Sequence, residues 1–70
     1  MANYLFNLEA DNNGYHEVHK DTCTHLPNIF NRQNLGNFTS CNQAIQHARI
    51  NYSNYKFDGC YYCCNECHNL

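Results

Sequence analysis

The sequence predicts a small α+β domain stapled by a metal ion, and three observations carry that expectation. The chain has 70 residues, a length at which an apolar core alone leaves stability marginal and a disulfide, a metal or a partner chain usually adds to it. Segments alternating at period two near the N-terminus give way to one segment with helical spacing in the second half. Six Cys and five His are present, and four of those Cys with one His crowd into Cys60-Tyr61-Tyr62-Cys63-Cys64-Asn65-Glu66-Cys67-His68.

Residues 3–9 place Tyr4, Phe6 and Leu8 on one face of a strand, and Asp11-Asn12-Asn13-Gly14, which tolerate positive φ, follow as a hairpin turn. Tyr15, Glu17 and His19 then alternate against His16, Val18 and Lys20. This predicts a second, antiparallel strand over 15–20, with His16 and His19 on opposite faces. From Asp21 to Asn34 the pattern is lost and Pro27 intervenes, so the stretch reads as a loop with one short helical turn. Leu35–Phe38 is too short to classify and could pair as a third, edge strand.

Ser40 with Gln43 three residues on forms a capping-box pattern, and Cys41, Ala44, Ile45, Ala48 and Tyr52 recur at helical spacing. An amphipathic helix over 40–52 is expected. Asn54–Gly59 reads as a second loop, in which Asp58-Gly59 is a turn that lets the C-terminal Cys fold back as a metal knuckle leading into a short helix near 61–68. No repeat or compositional boundary divides the chain, so 1–70 reads as one domain.

The formal net charge is -2, with Lys20, Arg32, Arg49 and Lys56 as the fixed cations. That gives no broad basic footprint, and nucleic acid is disfavoured as a partner. The N-terminus lacks the basic flank and apolar run of an export signal, Met1 reads as an initiator, and no stretch approaches transmembrane length. The expectation is a cytoplasmic, reducing compartment without membrane contact, where clustered Cys are more often metal ligands or redox groups than bridges. Asn is abundant but does not form runs, which favours an ordered fold over a prion-like segment.

Four chemistries compete for the cysteines. Zinc asks for four Cys or His donors in a tetrahedron, commonly two local pairs from separate parts of the chain. His19-x3-Cys23 and Cys60-x2-Cys63 are two such pairs. Closing them on one ion ties the hairpin to the C-terminus across a long loop, which restricts the unfolded chain strongly. His16 and His25 compete with His19, while Cys64, Cys67 and His68 compete for another position or could hold a second ion. His16, His25 and His47 read as solvated surface rings, and Cys41, on the apolar stripe, reads as a small core residue rather than a ligand.

The other three chemistries fit less well. Cys64-Asn65-Glu66-Cys67-His68 matches the covalent haem signature literally, but only Asn69 and Leu70 follow it to cover a porphyrin. A thiol–disulfide catalyst places C-x-x-C between a strand and a helix inside a βαβ unit, and no such unit is evident before Cys60. A disulfide scaffold needs an oxidising compartment. Glu17 and Glu66, the carboxylates beside candidate ligands, stand in no H-E-x-x-H or H-x-E pattern and read as solvated, so no enzyme is expected.

In order along the chain, His19-x3-Cys23, Phe38-x-Ser40 opening a helix with Ala44, and Cys60-x2-Cys63 resemble the zinc-binding N-terminal domain of Ada-type DNA repair methyltransferases. The segments VHKDTC, LGNFTSC and DGCYYCC are also similar to those of a group of small bacterial zinc-binding proteins. The resemblance implies a structural zinc site. In the repair domain the methyl-accepting thiolate is the first Cys ligand; His19 stands at that position here, so methyl transfer is not implied. Nor do four cations supply the surface that holds DNA phosphates in that family. Two roles follow as expectations. One is a binding or adaptor module for a protein partner, with Tyr4, Tyr15, Tyr55, Tyr61 and Tyr62 as exposed contact residues; the other is a nucleic-acid module that stacks bases on aromatic rings.

Overall fold

The computed structural model describes residues 1–69. Its first two strands follow the alternation in the sequence: β1 (Ala2–Asn7) and β2 (Tyr15–Lys20) pair antiparallel, with Leu5 opposite His19 and Phe6 opposite Val18. The connecting turn is organised by Asp11, whose Oδ1 accepts from the backbone N–H groups of Asn13 and Tyr15 at 2.9 Å each. Gly14 takes φ +86°, a conformation that strains any residue with a Cβ. β1 stops at Asn7, short of the expected residue 9, so Leu8 lies outside the strand and is exposed.

Between Asp21 and Asn34 the expected loop is shorter than the sequence suggests. A single 3-10 turn, Ile29–Asn31, leads directly into β3 (Arg32–Phe38), which pairs antiparallel with the free edge of β1. A β-bulge hides its alternation: Tyr4 pairs with Gly36 and Leu5 with Asn34, leaving Leu35 as the extra residue, buried in the core. Gly36 accommodates the bulge at φ +112°.

The helix α1 (Cys41–Asn51) begins where the capping pattern places it. Ser40 Oγ accepts from the Gln43 N–H at 3.3 Å. Gln43 Oε1 in turn accepts from the Thr39 N–H at 3.1 Å and from the Thr39 hydroxyl at 2.6 Å, one residue before the cap itself. Cys41, Ala44, Ile45 and Ala48 are buried as the spacing requires, packing in one core with Tyr4, Phe6, Val18 and Phe57.

The expected loop over Asn54–Gly59, with its Asp58-Gly59 turn, is instead largely a strand. β4 (Lys56–Gly59) runs parallel to β2, with His16 opposite Phe57 and Val18 opposite Gly59. Its extended form comes from docking on β2 rather than from its own four residues, of which Phe57 alone is a large apolar one. The sheet order is β3-β1-β2-β4, so α1 crosses one face from edge to edge, the crossover that parallel pairing needs.

Phe6 sits at the centre of that face, with the rings of Phe57 at 5.0 Å, Tyr52 at 5.1 Å and His16 at 5.9 Å meeting it edge-on. Two expectations fail here for the same reason, that this face needs more apolar area than aliphatic residues supply. His16 is not a solvated ring: it is buried, stacked on Tyr55 at 4.3 Å, with Nδ1 2.7 Å from the Asn7 carbonyl oxygen. Tyr4 is not an exposed contact residue but a core residue, 2% exposed. His47 is half-buried, its ring 5.1 Å from that of Phe38.

After β4 the expected short helix near 61–68 is replaced by a turn and a 3-10 turn, Asn65–Cys67. Among the described residues no helix is long and apolar enough to cross a membrane.

Candidate metal centre

Because β2 and β4 are parallel, their C-terminal ends lie side by side, and the Cys60 N–H extends the ladder to the Val18 carbonyl at 2.9 Å. Both local pairs arise at this corner. His19 is the penultimate residue of β2, and Cys23 follows after a turn closed by its own N–H on the Lys20 carbonyl at 3.0 Å. Cys60 leaves β4, and a turn closed by the Cys64 N–H on the Cys60 carbonyl at 2.9 Å carries Cys63 back towards it. This turn lies after Cys60, not at Asp58-Gly59 before it.

The four donor atoms of His19, Cys23, Cys60 and Cys63 all lie within 4.8 Å of one another, a set that can hold a metal ion. Cys23 Sγ and Cys60 Sγ are 3.9 Å apart, and Cys63 Sγ is 3.8 Å from His19 Nδ1. A tetrahedron with metal–sulfur bonds of about 2.3 Å and a metal–nitrogen bond of about 2.0 Å has S···S edges of about 3.8 Å and S···N edges of about 3.5 Å. The observed separations are close to those edges.

The surroundings suit thiolates and a neutral imidazole. The His25 N–H points at Cys23 Sγ at 3.4 Å, and the Lys20 backbone lowers the Cys63 pKa against the effect of burial. Both effects stabilise negative sulfur. Without an ion, burial and the neighbouring Cys23 thiol push Cys63 well above the usual thiol range. Burial, reinforced by the positive charges of His25 and Arg32, lowers His19 to about 4, which leaves the ring neutral and able to ligate at neutral pH. With Nδ1 turned to the sulfurs, Nε2 lies 3.7 Å from Glu17 Oε1. At that separation the carboxylate is within charge reach of the ring but does not hydrogen-bond to it. Glu17 is itself half-buried, and burial followed by the negative charges of Asp11 and Asp58 raises its pKa.

No family model, curated protein or solved structure matches the chain. The likeness to the Ada-type zinc domain therefore rests on motif order and spacing.

The competing residues are placed elsewhere. The exposed His25 ring stacks on Tyr62 at 3.6 Å, and His16 lies on the opposite face of the sheet. His68 Nδ1 is 3.0 Å from the Gly59 carbonyl oxygen and 3.1 Å from the buried carboxylate of Asp58. Cys64 and Cys67, the two sulfurs of the haem-like motif, are buried in the core beside Cys41. All six cysteines are free thiols.

The expectation that no βαβ unit precedes Cys60 is overturned, because β3, α1 and β4 form one across the sheet. The C-x-x-C pair nevertheless opens a turn rather than an α-helix, so it lacks the helix N-terminus that lowers the pKa of a redox thiol. Glu17 is the residue that sequence reasoning passed over as solvated. The available signal was its i, i+2 relation to His19 in a strand, which puts both on one face.

Proposed function

We propose that this chain is a structural zinc module, in which one ion held by His19, Cys23, Cys60 and Cys63 fixes the C-terminal segment to the β-hairpin, and that it acts without catalysis as a binding or adaptor module for a protein partner. The observation that carries the reading is the convergence of two ligand pairs from opposite ends of the chain within 4.8 Å. Three thiols and an imidazole are a borderline-soft, four-donor set suited to a tetrahedral d10 ion. Four protein donors fill the tetrahedron and leave no position for a reacting water, which favours a structural over a catalytic role.

The adaptor role is supported by what the metal corner presents to solvent. Tyr61 and Tyr62, between the two C-terminal ligands, are 57% and 65% exposed. Aromatic residues held by a rigid turn are favoured contact groups at protein interfaces. Zinc content and thiol accessibility of the purified chain test the proposal together. One tightly held zinc that protects Cys23, Cys60 and Cys63 from alkylation until a chelator is added is the expected result. A chain that folds without bound metal and leaves these three thiols reactive would overturn it.

A further inference from the structure

Cys41, Cys64 and Cys67 are the cysteines that the metal centre leaves unused, and the fold gathers them on the other side of the sheet. Val18 and Gly59 pair on the face that α1 covers, whereas His19 and Cys60, one residue further along each strand, turn to the opposite face. Of the adjacent Cys63 and Cys64, Cys63 belongs to the first donor set, while the Cys64 thiol neighbours both Cys63 and Cys41. Cys41 is the first residue of α1, and Cys64 and Cys67 bracket the 3-10 turn, closed by the Cys67 N–H on the Cys64 carbonyl at 2.9 Å. Cys41 Sγ donates to Glu66 Oε1 at 3.0 Å, and the Cys64 and Cys67 thiols neighbour Cys41. Gly59 lets this turn sit against the sheet: a Cβ there would lie 2.7 Å from Cys67 Cβ.

The geometry points to a second metal site, formed by Cys41, Cys64, Cys67 and Glu66, that takes a thiophilic d10 cation such as Zn(II), Cd(II) or Cu(I). Beside the three small buried thiols stands one solvent-exposed carboxylate, that of Glu66, already hydrogen-bonded to Cys41. Three sulfurs and one carboxylate oxygen make a second four-donor set, and C-x2-C on a tight turn supplies two of them as in known structural metal sites. The cation replaces the thiol protons, which leave to solvent. Among the described residues only His19, Cys23, Cys60 and Cys63 already form a group of three or more donors within metal-binding reach, so Cys41, Cys64, Cys67 and Glu66 have to draw together on a cation and fill second. The six cysteines are then divided three and three between two ions.

Titration of the reduced, metal-free chain with Cd(II), followed by native mass spectrometry and sulfur-to-cadmium absorbance, tests this. Two Cd(II) per chain are expected, the second bound more weakly, with two resonances in cadmium NMR of the unmutated chain. Cys41→Ala and Cys67→Ala each lose the second equivalent and keep the first; Glu66→Gln weakens the second alone. His19→Ala weakens the first instead, so failure of one site is read separately from failure of the other. Saturation of the unmutated chain at one Cd(II), or a second equivalent that survives both Cys variants, would overturn the proposal.

Discussion

The ribbon made by β1, β2 and β3 and the segment from β4 to the C-terminus are held by different physics. The ribbon has two antiparallel ladders along β1 and an aromatic centre at Phe6, so backbone pairing and apolar burial reinforce each other. The tail has one short parallel ladder, two tight turns and a dense set of thiols. Phe57 anchors it in the common core, and its thiols crowd beyond that anchor. The difference teaches that a chain of this size can concentrate its apolar area in one region and a donor cluster able to hold a metal ion in the other.

The largest expected effect breaks the tail and spares the ribbon. Cys60→Ser removes a ligand from the middle of the proposed tetrad, and structural zinc contributes on the order of 10 kcal/mol to folding in small domains. Hydrogen exchange should show protection lost over residues 56–69 first, with β1 and β2 amides retaining the most. Uniform loss across the chain would erase the distinction.

Phe6→Ala attacks the other region. Truncating a fully buried aromatic at the centre of the core should cost about 3–5 kcal/mol, measured by chemical denaturation of the zinc-loaded protein. An effect well below 1 kcal/mol would mean that coordination, not burial, organises the ribbon too.

A pair of glycines sharpens the comparison further. At Gly59 an added Cβ would lie 2.5 Å from the Cys64 carbonyl oxygen and 2.7 Å from Cys67 Cβ, so Gly59→Ala should cost about 3 kcal/mol and loosen the tail. At Gly14 nothing lies within 4 Å, and Gly14→Ala should cost only the strain of its positive φ, about 1 kcal/mol. Thermal melts of the two variants should differ accordingly.

Acid perturbs the metal corner without a substitution. In the metal-free chain His19 protonates at about 4, below its ordinary value of 6.5, so the unfolded state takes the proton first. The contribution of His19 is complete above pH 6.5 and is lost as pH falls towards 4. Circular dichroism of the chelated protein across that window should show structure weakening as pH falls, and a His19→Gln variant should flatten the dependence.

How far the sequence foretold this depended on whether each signal was local. The hairpin and α1 were legible because period-two alternation, the Asp11–Gly14 turn and the Ser40–Gln43 cap are encoded within a few residues. β3 was largely missed because its bulge at Leu35 and Gly36 breaks the alternation. β4 was missed because a four-residue strand in a parallel pair is defined by a partner far away in the chain. Those two errors also misplaced the knuckle turn and hid the βαβ crossover. The grouping of His19, Cys23, Cys60 and Cys63 was legible from spacing, whereas the burial of His16 and Tyr4 depended on the crowding of rings around Phe6.

X-ray absorption at the zinc edge, on the chain loaded with one equivalent of zinc, tests the clamp most directly. Three sulfurs at about 2.3 Å and one nitrogen at about 2.0 Å are predicted. A shell of oxygen ligands, or one without nitrogen, would contradict the assignment of His19, Cys23, Cys60 and Cys63 to a single ion.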